Sequence, residues 1–398
     1  MVDETNIQED NKGRKGKRVV KRVLLIVGAS VLSLVVLLVS TFFFLLYSPW
    51  THAIRDRYVL MTYKTSNPWL CTWFFSQETI DGIFDRNGSE QPDGSVDTSI
   101  IMPAVTPTQN GNQTPNPSEP TNMPTHAPVS AEPTLAPSSV PTPYKDFKTS
   151  QKYKGEIIYD DGEVRIVEFS GETDYGKYTA RMMQIKDPSR VTLGVTNRIG
   201  ERGQILPDIC KTNDALCGIN AGGFVDEGGV GNGGTPLGVV VKDGVYRVYT
   251  EEKDHKIIGF NRDNVLVIGE FTEEEIASQG IRDAMSWRYP VYLMLNGEVT
   301  KYYGLAGGYD PRSAIGQCAD GTVLLLVADG SSLRGFDGVN FAMMADMMYE
   351  FGAVNAANLD GGTSSCMVLK GNVINTVCNP QIAKSGRWLA TAWIVKNQ

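Results

Sequence analysis

A run without a single charge, Val23 to Tyr47, follows a basic cluster made of Lys12, Arg14, Lys15, Lys17, Arg18, Lys21 and Arg22. A run of that length is long enough to cross a bilayer as one helix. Basic residues on its N-terminal side hold that end in the cytoplasm. A cleavable signal peptide is the competing reading. Against it, the run is longer than a signal core, and no small-x-small site precedes the bulky Phe42 to Tyr47. The expectation is a basic cytoplasmic tail over 1–22 and a single-pass signal anchor over 23–47. The C-terminal domain is then extracytoplasmic.

The remainder divides by composition. Residues 48–98 form a juxtamembrane segment with aromatics and one expected helix, whose apolar members are Trp69, Trp73, Phe74 and Ile80. Trp and Tyr beside a bilayer usually act as interface anchors; self-association is the other use such a segment has. Residues 99–143 are a linker in which Pro and Thr dominate and large apolar side chains are few. Such a stretch cannot bury enough surface to offset the entropy of ordering. Proline keeps it extended, at about 3.1 Å per residue, so it can carry a domain several tens of ångströms.

Residues 144–398 are the globular part, with packed structure from about Tyr153. Alternating runs predict strands over Val164–Phe169, Tyr178–Ile185, Val191–Val195 and Leu237–Lys242, the last with an Asp243-Gly244 turn. Leu324–Ala328 is wholly apolar and reads as a central strand buried on both faces. Helices are fewer. One starts near Gln204–Leu206, one covers Thr272–Gln279, and Phe341–Phe351 is the clearest, with Phe341, Met344, Ala345 and Met348 on one face. Strands with interspersed helices and glycine-rich turns give an α+β fold, a mixed β-sheet domain with few helices.

Net charge is −8 and the isoelectric point about 5.1, which disfavours nucleic acid as a partner. Six cysteines lie beyond the apolar run: Cys71, Cys210, Cys217, Cys318, Cys366 and Cys378. Cys210 with Cys217 and Cys366 with Cys378 are near enough in sequence to pair, and buried thiols are the alternative. With no Cys-x-x-Cys and three histidines, His52, His126 and His255, a zinc site is not expected. His255 is assigned an exposed or structural position.

Four short motifs remain. In chain order they are Asn220-Ala-Gly-Gly-Phe224, Asp310-Pro-Arg-Ser-Ala-Ile-Gly316, Asp329-Gly330 after the apolar strand, and Asn358-Leu-Asp-Gly-Gly-Thr-Ser-Ser365. The last places one carboxylate, Asp360, with the hydroxyls of Thr363, Ser364 and Ser365 in a turn where Gly361 and Gly362 let backbone N–H groups approach a ligand. Alone, each motif also reads as an ordinary turn. Together and in this order they resemble the phosphodiester glycosidase family, over roughly Tyr153 to the C-terminus. With the anchor, the resemblance implies a bacterial surface protein whose substrate is a cell-wall or exopolysaccharide glycan joined through a sugar-1-phosphate diester. A module that binds surface polysaccharide without cleaving it, and a glycosidase on non-phosphorylated glycans, are the alternatives.

The chemistry of that reaction distributes the roles. Arg312 grips phosphate, since a guanidinium offers two parallel hydrogen bonds, and Ser313 adds a hydroxyl. Asp360 is the acid/base or nucleophile and Asp329 its partner, two carboxylates being what such cleavage uses. Asn220 binds sugar hydroxyls through its amide. Gly222 and Gly223 allow close approach, and Phe224 offers a stacking face or lies in the core. Thr235 lines the pocket, and Gly361, Gly362, Thr363 and Ser364 hold the ligand in the turn. Relatives continue Asp-Gly with Arg; here Ser331 follows and Arg334 comes later, leaving that basic role open. Gly228–Thr235 is a flexible loop suited to a lid, and neither it nor any other stretch has a nucleotide-binding fingerprint. No cofactor is required. A divalent cation held by Asp360 with Asp226, Glu227 and Asp263 is possible, without the spacing of a known site.

Overall fold

The structure is a computed structural model. It describes residues 4–63, 69–90, 92, 94–101, 146–173, 176–226, 231–251, 254–287, 292–303, 308–330 and 338–398. Residues 102–143 of the expected linker, Glu227, Ser331 and Arg334, and the Gly228–Val230 part of the expected lid lie outside these residues. The chain divides into two compact units, Met1–Asp85 and Arg86–Gln398.

In the first unit, helix α1 runs over Glu4–Tyr47. Its Val23–Tyr47 portion is long and apolar enough to cross a membrane. Where one helix is expected next, there are three: α2 (His52–Thr62), α3 (Trp69–Thr72) and α4 (Gln77–Arg86). Trp69 and Ile80 therefore sit on different helices. The break at Trp73–Ser76 arises because Phe74 and Phe75 turn back onto α1, Phe74 against Phe42 at 5.4 Å and Phe75 against Tyr47 at 5.5 Å between ring centroids. Leu46, Val59, Leu60, Cys71, Phe75, Ile80 and Ile83 form this unit's buried apolar set.

In the second unit three antiparallel sheets surround one core, with few helices, as the α+β expectation has it. The largest has eight strands in the order Glu298–Val299, Tyr292–Leu295, Ala353–Asn358, Arg312–Cys318, Val323–Ala328, Gly176–Ile185, Val164–Thr173, Glu156–Asp160. A five-stranded sheet runs Asn372–Val373, Met367–Leu369, Ala215–Asn220, Thr391–Lys396, Val191–Val195. Another runs Leu266–Phe271, His255–Asn261, Ile281–Ser286, Val240–Lys242, Val245–Val248.

The alternation of side chains along a strand explains the layering. Val323, Leu325 and Val327 face the shared core with Ile219, Trp393, Phe260 and Ile268 from the other sheets. Leu324, Leu326 and Ala328 face the opposite way, under helix α7 (Phe341–Glu350) through Met344, Met347 and Met348. Helix α5 (Leu206–Thr212) covers the back of the second sheet, and α6 (Glu273–Ser278) the back of the third. Val323–Ala328 is thus buried on both faces as its composition predicts, though in an antiparallel sheet. Truncation of Leu325 to alanine removes a fully buried side chain from the shared core. We expect a loss of about 2–5 kcal/mol, read as a lower denaturation midpoint at unchanged slope.

Helix α6 starts with the capping box that Thr272 and Glu275 foreshadow, Thr272 Oγ1 accepting from Glu275 N–H. His255 is buried in its strand, so of the two expected positions the exposed one does not hold. All six cysteines are thiols, and neither expected pairing forms.

Candidate active site

The turn after Ala353–Asn358 is fixed by main-chain bonds from the other motifs. Leu359 N–H donates to the Ser313 carbonyl at 2.8 Å, Asp360 N–H to Ala221 at 3.0 Å and Gly362 N–H to Pro311 at 2.8 Å. Gly362 has φ +59°, a left-handed conformation open to glycine, and it begins a 3-10 turn, Gly362–Ser364. Three of the four sequence motifs therefore meet around one carboxylate.

Asn220 and Ser313 are the struts of this arrangement. Both are fully buried. The Asn220 amide donates to the Asp360 carbonyl at 2.6 Å, and its oxygen accepts from Ser313 Oγ at 2.7 Å and Cys366 N–H at 3.1 Å. The expected sugar contact through Asn220 is corrected on this point: its polar groups are turned inward and engaged with the turn. The same holds for the Ser313 hydroxyl.

Asp360 is partly exposed. Burial is the largest influence on its carboxyl and pushes its pKa up to about 6; a Ser364 hydrogen bond, the Arg387 charge and the Gly361 N–H act against it, and Asp226 adds to it. Arg387 is held by Asp226 at 2.8 Å and lies over the Phe224 ring at 4.5 Å. Of the two positions expected for Phe224, a stacking face or the core, the structure has the core: the ring is buried between Arg387 and its cluster and presents no face for a sugar. Gly223 meets its expectation of close approach, but to protein: a Cβ there would stand 2.0 Å from the Trp287 ring. Gly222 is likewise buried, its N–H donating to Thr391 Oγ1 at 3.1 Å. Thr235 is exposed, and its carbonyl pairs with Val225 N–H at 2.8 Å. Thr363 is partly exposed in the turn and Ser364 is buried beside Asp360.

Arg312 stands on the other flank. Its guanidinium lies 4.4 Å above the Phe341 ring and bonds the Gly308 carbonyl at 3.3 Å and Asp310 at 3.5 Å. A Cβ on Gly361 would be 3.8 Å from Arg312 Nη1. The guanidinium thus lies at contact distance from the Asp360 turn, and the closer neighbour of that Cβ would be the Pro311 carbonyl, at 3.0 Å.

Asp329 is caged. Its carboxylate accepts from Arg181 Nη1 at 2.8 Å, Asn375 Nδ2 at 3.0 Å and Thr376 N–H at 3.0 Å. Its side chain is 2% exposed and that of Arg181 8%. Asn375 also donates to the Ser365 carbonyl at 3.2 Å and accepts from Met367 N–H at 2.8 Å. The carboxylate expected to partner Asp360 in proton transfer is held by these three donors and, through Asn375, braces the end of the Asp360 turn.

Among the described residues no group of three His, Cys, Asp or Glu is placed to hold a metal ion. Asp226, one candidate ligand, is occupied by Arg387 and by Gly231 N–H at 2.6 Å. Asp263 lies in the turn between Asn261 and Leu266. Sequence reasoning missed Arg387 and Trp287. Arg387 carries no local signal, because its tie to Asp226 spans 161 positions.

Residues 213–396 match the family model described as phosphodiester glycosidase, so the resemblance read from the motifs holds over that stretch, which contains all four of them. Among curated proteins, the chain is 29% identical over 202 residues to the SPbeta prophage-derived uncharacterized protein YomE of Bacillus subtilis, covering 48% of this chain and 29% of that one. It is 28% identical over 156 residues to mouse N-acetylglucosamine-1-phosphodiester alpha-N-acetylglucosaminidase, covering 35% and 30%. The chain thus spans under a third of the length of these relatives. A solved structure of the pro-peptide-inhibited catalytic domain of the zebrafish enzyme of that name overlaps 63% of this chain and 89% of its own, at 21% identity and TM-score 0.49.

Proposed function

We propose that the domain hydrolyses a glycosyl phosphodiester, with Asp360 as the reacting carboxylate. The observation that carries this is the placement of two guanidiniums about the Asp360 turn, Arg387 near enough for its charge to act on the carboxyl and Arg312 beside Gly361. An anionic diester needs cationic donors on the phosphate, and developing charge on the leaving phosphate is where stabilisation has its effect. A phosphate departs without much acid assistance, so a single free carboxylate suffices to act on the anomeric carbon or its attacking water. Asn220, Ser313 and Asp329 hold that carboxylate in place. The substrate class follows from the chemistry and from the named activity of the mouse relative. The Val23–Tyr47 helix serves as the anchor, the basic cluster holding its N-terminus inside and the domain working on a surface glycan.

Full-length protein in detergent should cleave α-N-acetylglucosamine-1-phosphate methyl ester and leave the matched nitrophenyl glycoside intact. Arg312→Ala should reduce kcat/KM for the diester about 10²–10³-fold, the scale for loss of one charge-stabilising donor. Equal cleavage of the neutral glycoside, undiminished in Arg312→Ala, would identify an ordinary glycosidase instead. Binding of wall polymer with no turnover of either compound would identify a binding module.

A further inference from the structure

The aromatic turn Trp73–Phe75 is folded back along the end of the apolar helix, and its exposed members have no place in the unit's own core. Phe74 packs edge-on against Phe42 and against Phe43, at 5.4 and 6.3 Å, and the Tyr47 hydroxyl donates to the Phe74 carbonyl. Phe42 precedes the end of the apolar run by five residues, about 7 Å along a helix. The run has 25 residues, about 37 Å of helix, against a hydrocarbon core of about 30 Å. Whatever bilayer holds this helix therefore reaches to about the level of Phe42, and the turn packed on Phe42 stands at that level too. Trp73 in the turn is 75% exposed, and Trp69, stacked edge-on against it at 5.0 Å, is 46% exposed. Neither belongs to this unit's buried apolar set. Helix α4, which follows, exposes Gln77, Glu78, Asp81 and Asp85, a face suited to water.

We infer that Trp69 and Trp73 are embedded at the headgroup–acyl boundary of the leaflet from which α1 emerges, so that α3 and its turn form a second membrane contact beside the span. This rests on the reading of Val23–Tyr47 as a membrane span. Indole suits that depth because its ring is apolar and its N–H finds partners among headgroups. The chain is thereby held at two points, and the axis of α1 cannot rotate without moving the turn through the interface.

The test uses the full chain in vesicles whose lipids carry bromine either near the head of the acyl chain or near its end, with tryptophan fluorescence as the readout. Flotation with the vesicles reports the span, and Trp50, 92% exposed just past Tyr47, reports its end. Shallow bromines should quench strongly and deep bromines weakly. Trp69→Phe/Trp73→Phe should lose more than half of the shallow quenching while still floating, and Trp73→Phe alone, at an exposed turn, should lose a smaller share. Quenching identical in the wild type and both variants, with flotation intact, overturns the inference and leaves the span standing. Failure of the wild type to float overturns the span and the inference with it.

Discussion

Asp360→Asn is expected to abolish most turnover and to leave a more stable protein. The carboxyl has a pKa of about 6, raised first by burial. An unfolded carboxyl titrates near 3.9. The folded state therefore binds the proton more tightly than the unfolded state, and stability is lost as pH rises from about 4 through about 6. At pH 7 the ionised group costs on the order of 1–3 kcal/mol, toward the lower end because Asp360 is partly open to solvent. Asparagine keeps the shape without the charge, so its denaturation midpoint should exceed that of the wild type at pH 7 and converge with it below about pH 4. Turnover should fall about 10²–10⁴-fold, the range for losing a positioned acid–base group. The wild-type profile of kcat/KM should fall on the acid side with a midpoint near 6. Wild-type turnover in the Asn variant would remove Asp360 from the reaction.

The second large effect lies in the cage around Asp329. Asp329→Ala removes the acceptor of Arg181, Asn375 and Thr376 together and leaves a guanidinium at 8% exposure beside Glu168 alone. Breaking one side of a buried pair costs about 3–5 kcal/mol. Asp329→Asn, which can still accept from Asn375 or Thr376, should cost less. Because Asn375 links Asp329 to the Ser365 carbonyl, the Asn variant should lower kcat while the acid limb near 6 stays in place. A proton-transfer role predicts otherwise: the limb opposite to that of Asp360 would vanish from the profile. Urea denaturation of both variants, with a pH profile of the Asn form, separates the two.

What was legible in the sequence follows the range over which each signal acts. The two-faced burial of Val323–Ala328, the cap at Thr272 and the helix from Phe341 are local patterns, and the structure has them. The motifs around Ala221, Pro311 and Asp360 are local too, and the structure joins them through the main chain. The inward engagement of Asn220 was not legible: an asparagine beside glycines looks the same whether its amide faces a sugar or Ser313, 93 positions away. Phe224 and Arg387 are in the same position, since stacking across the site has no period in the chain. Asp329 looked like a free carboxylate at a strand end because Arg181 lies 148 residues earlier, on the neighbouring strand. The segment around Trp69 and Ile80 looked like one helix because the contacts that interrupt it come from α1.

The sheet that carries Ala215–Asn220 has a temporal side. Its penultimate strand, Thr391–Lys396, comes from far downstream in the chain, yet it lies between Ala215–Asn220 and Val191–Val195. Until those residues arrive, two strand edges and the cleft for Trp393 stand open toward any neighbour. A chain made in order from its N-terminal side must therefore hold these strands unclosed until residues 391–396 follow. Asn220, which braces the Asp360 turn, sits at the end of one of the strands left waiting, so that turn gains its full support only after residues 391–396 have joined the sheet.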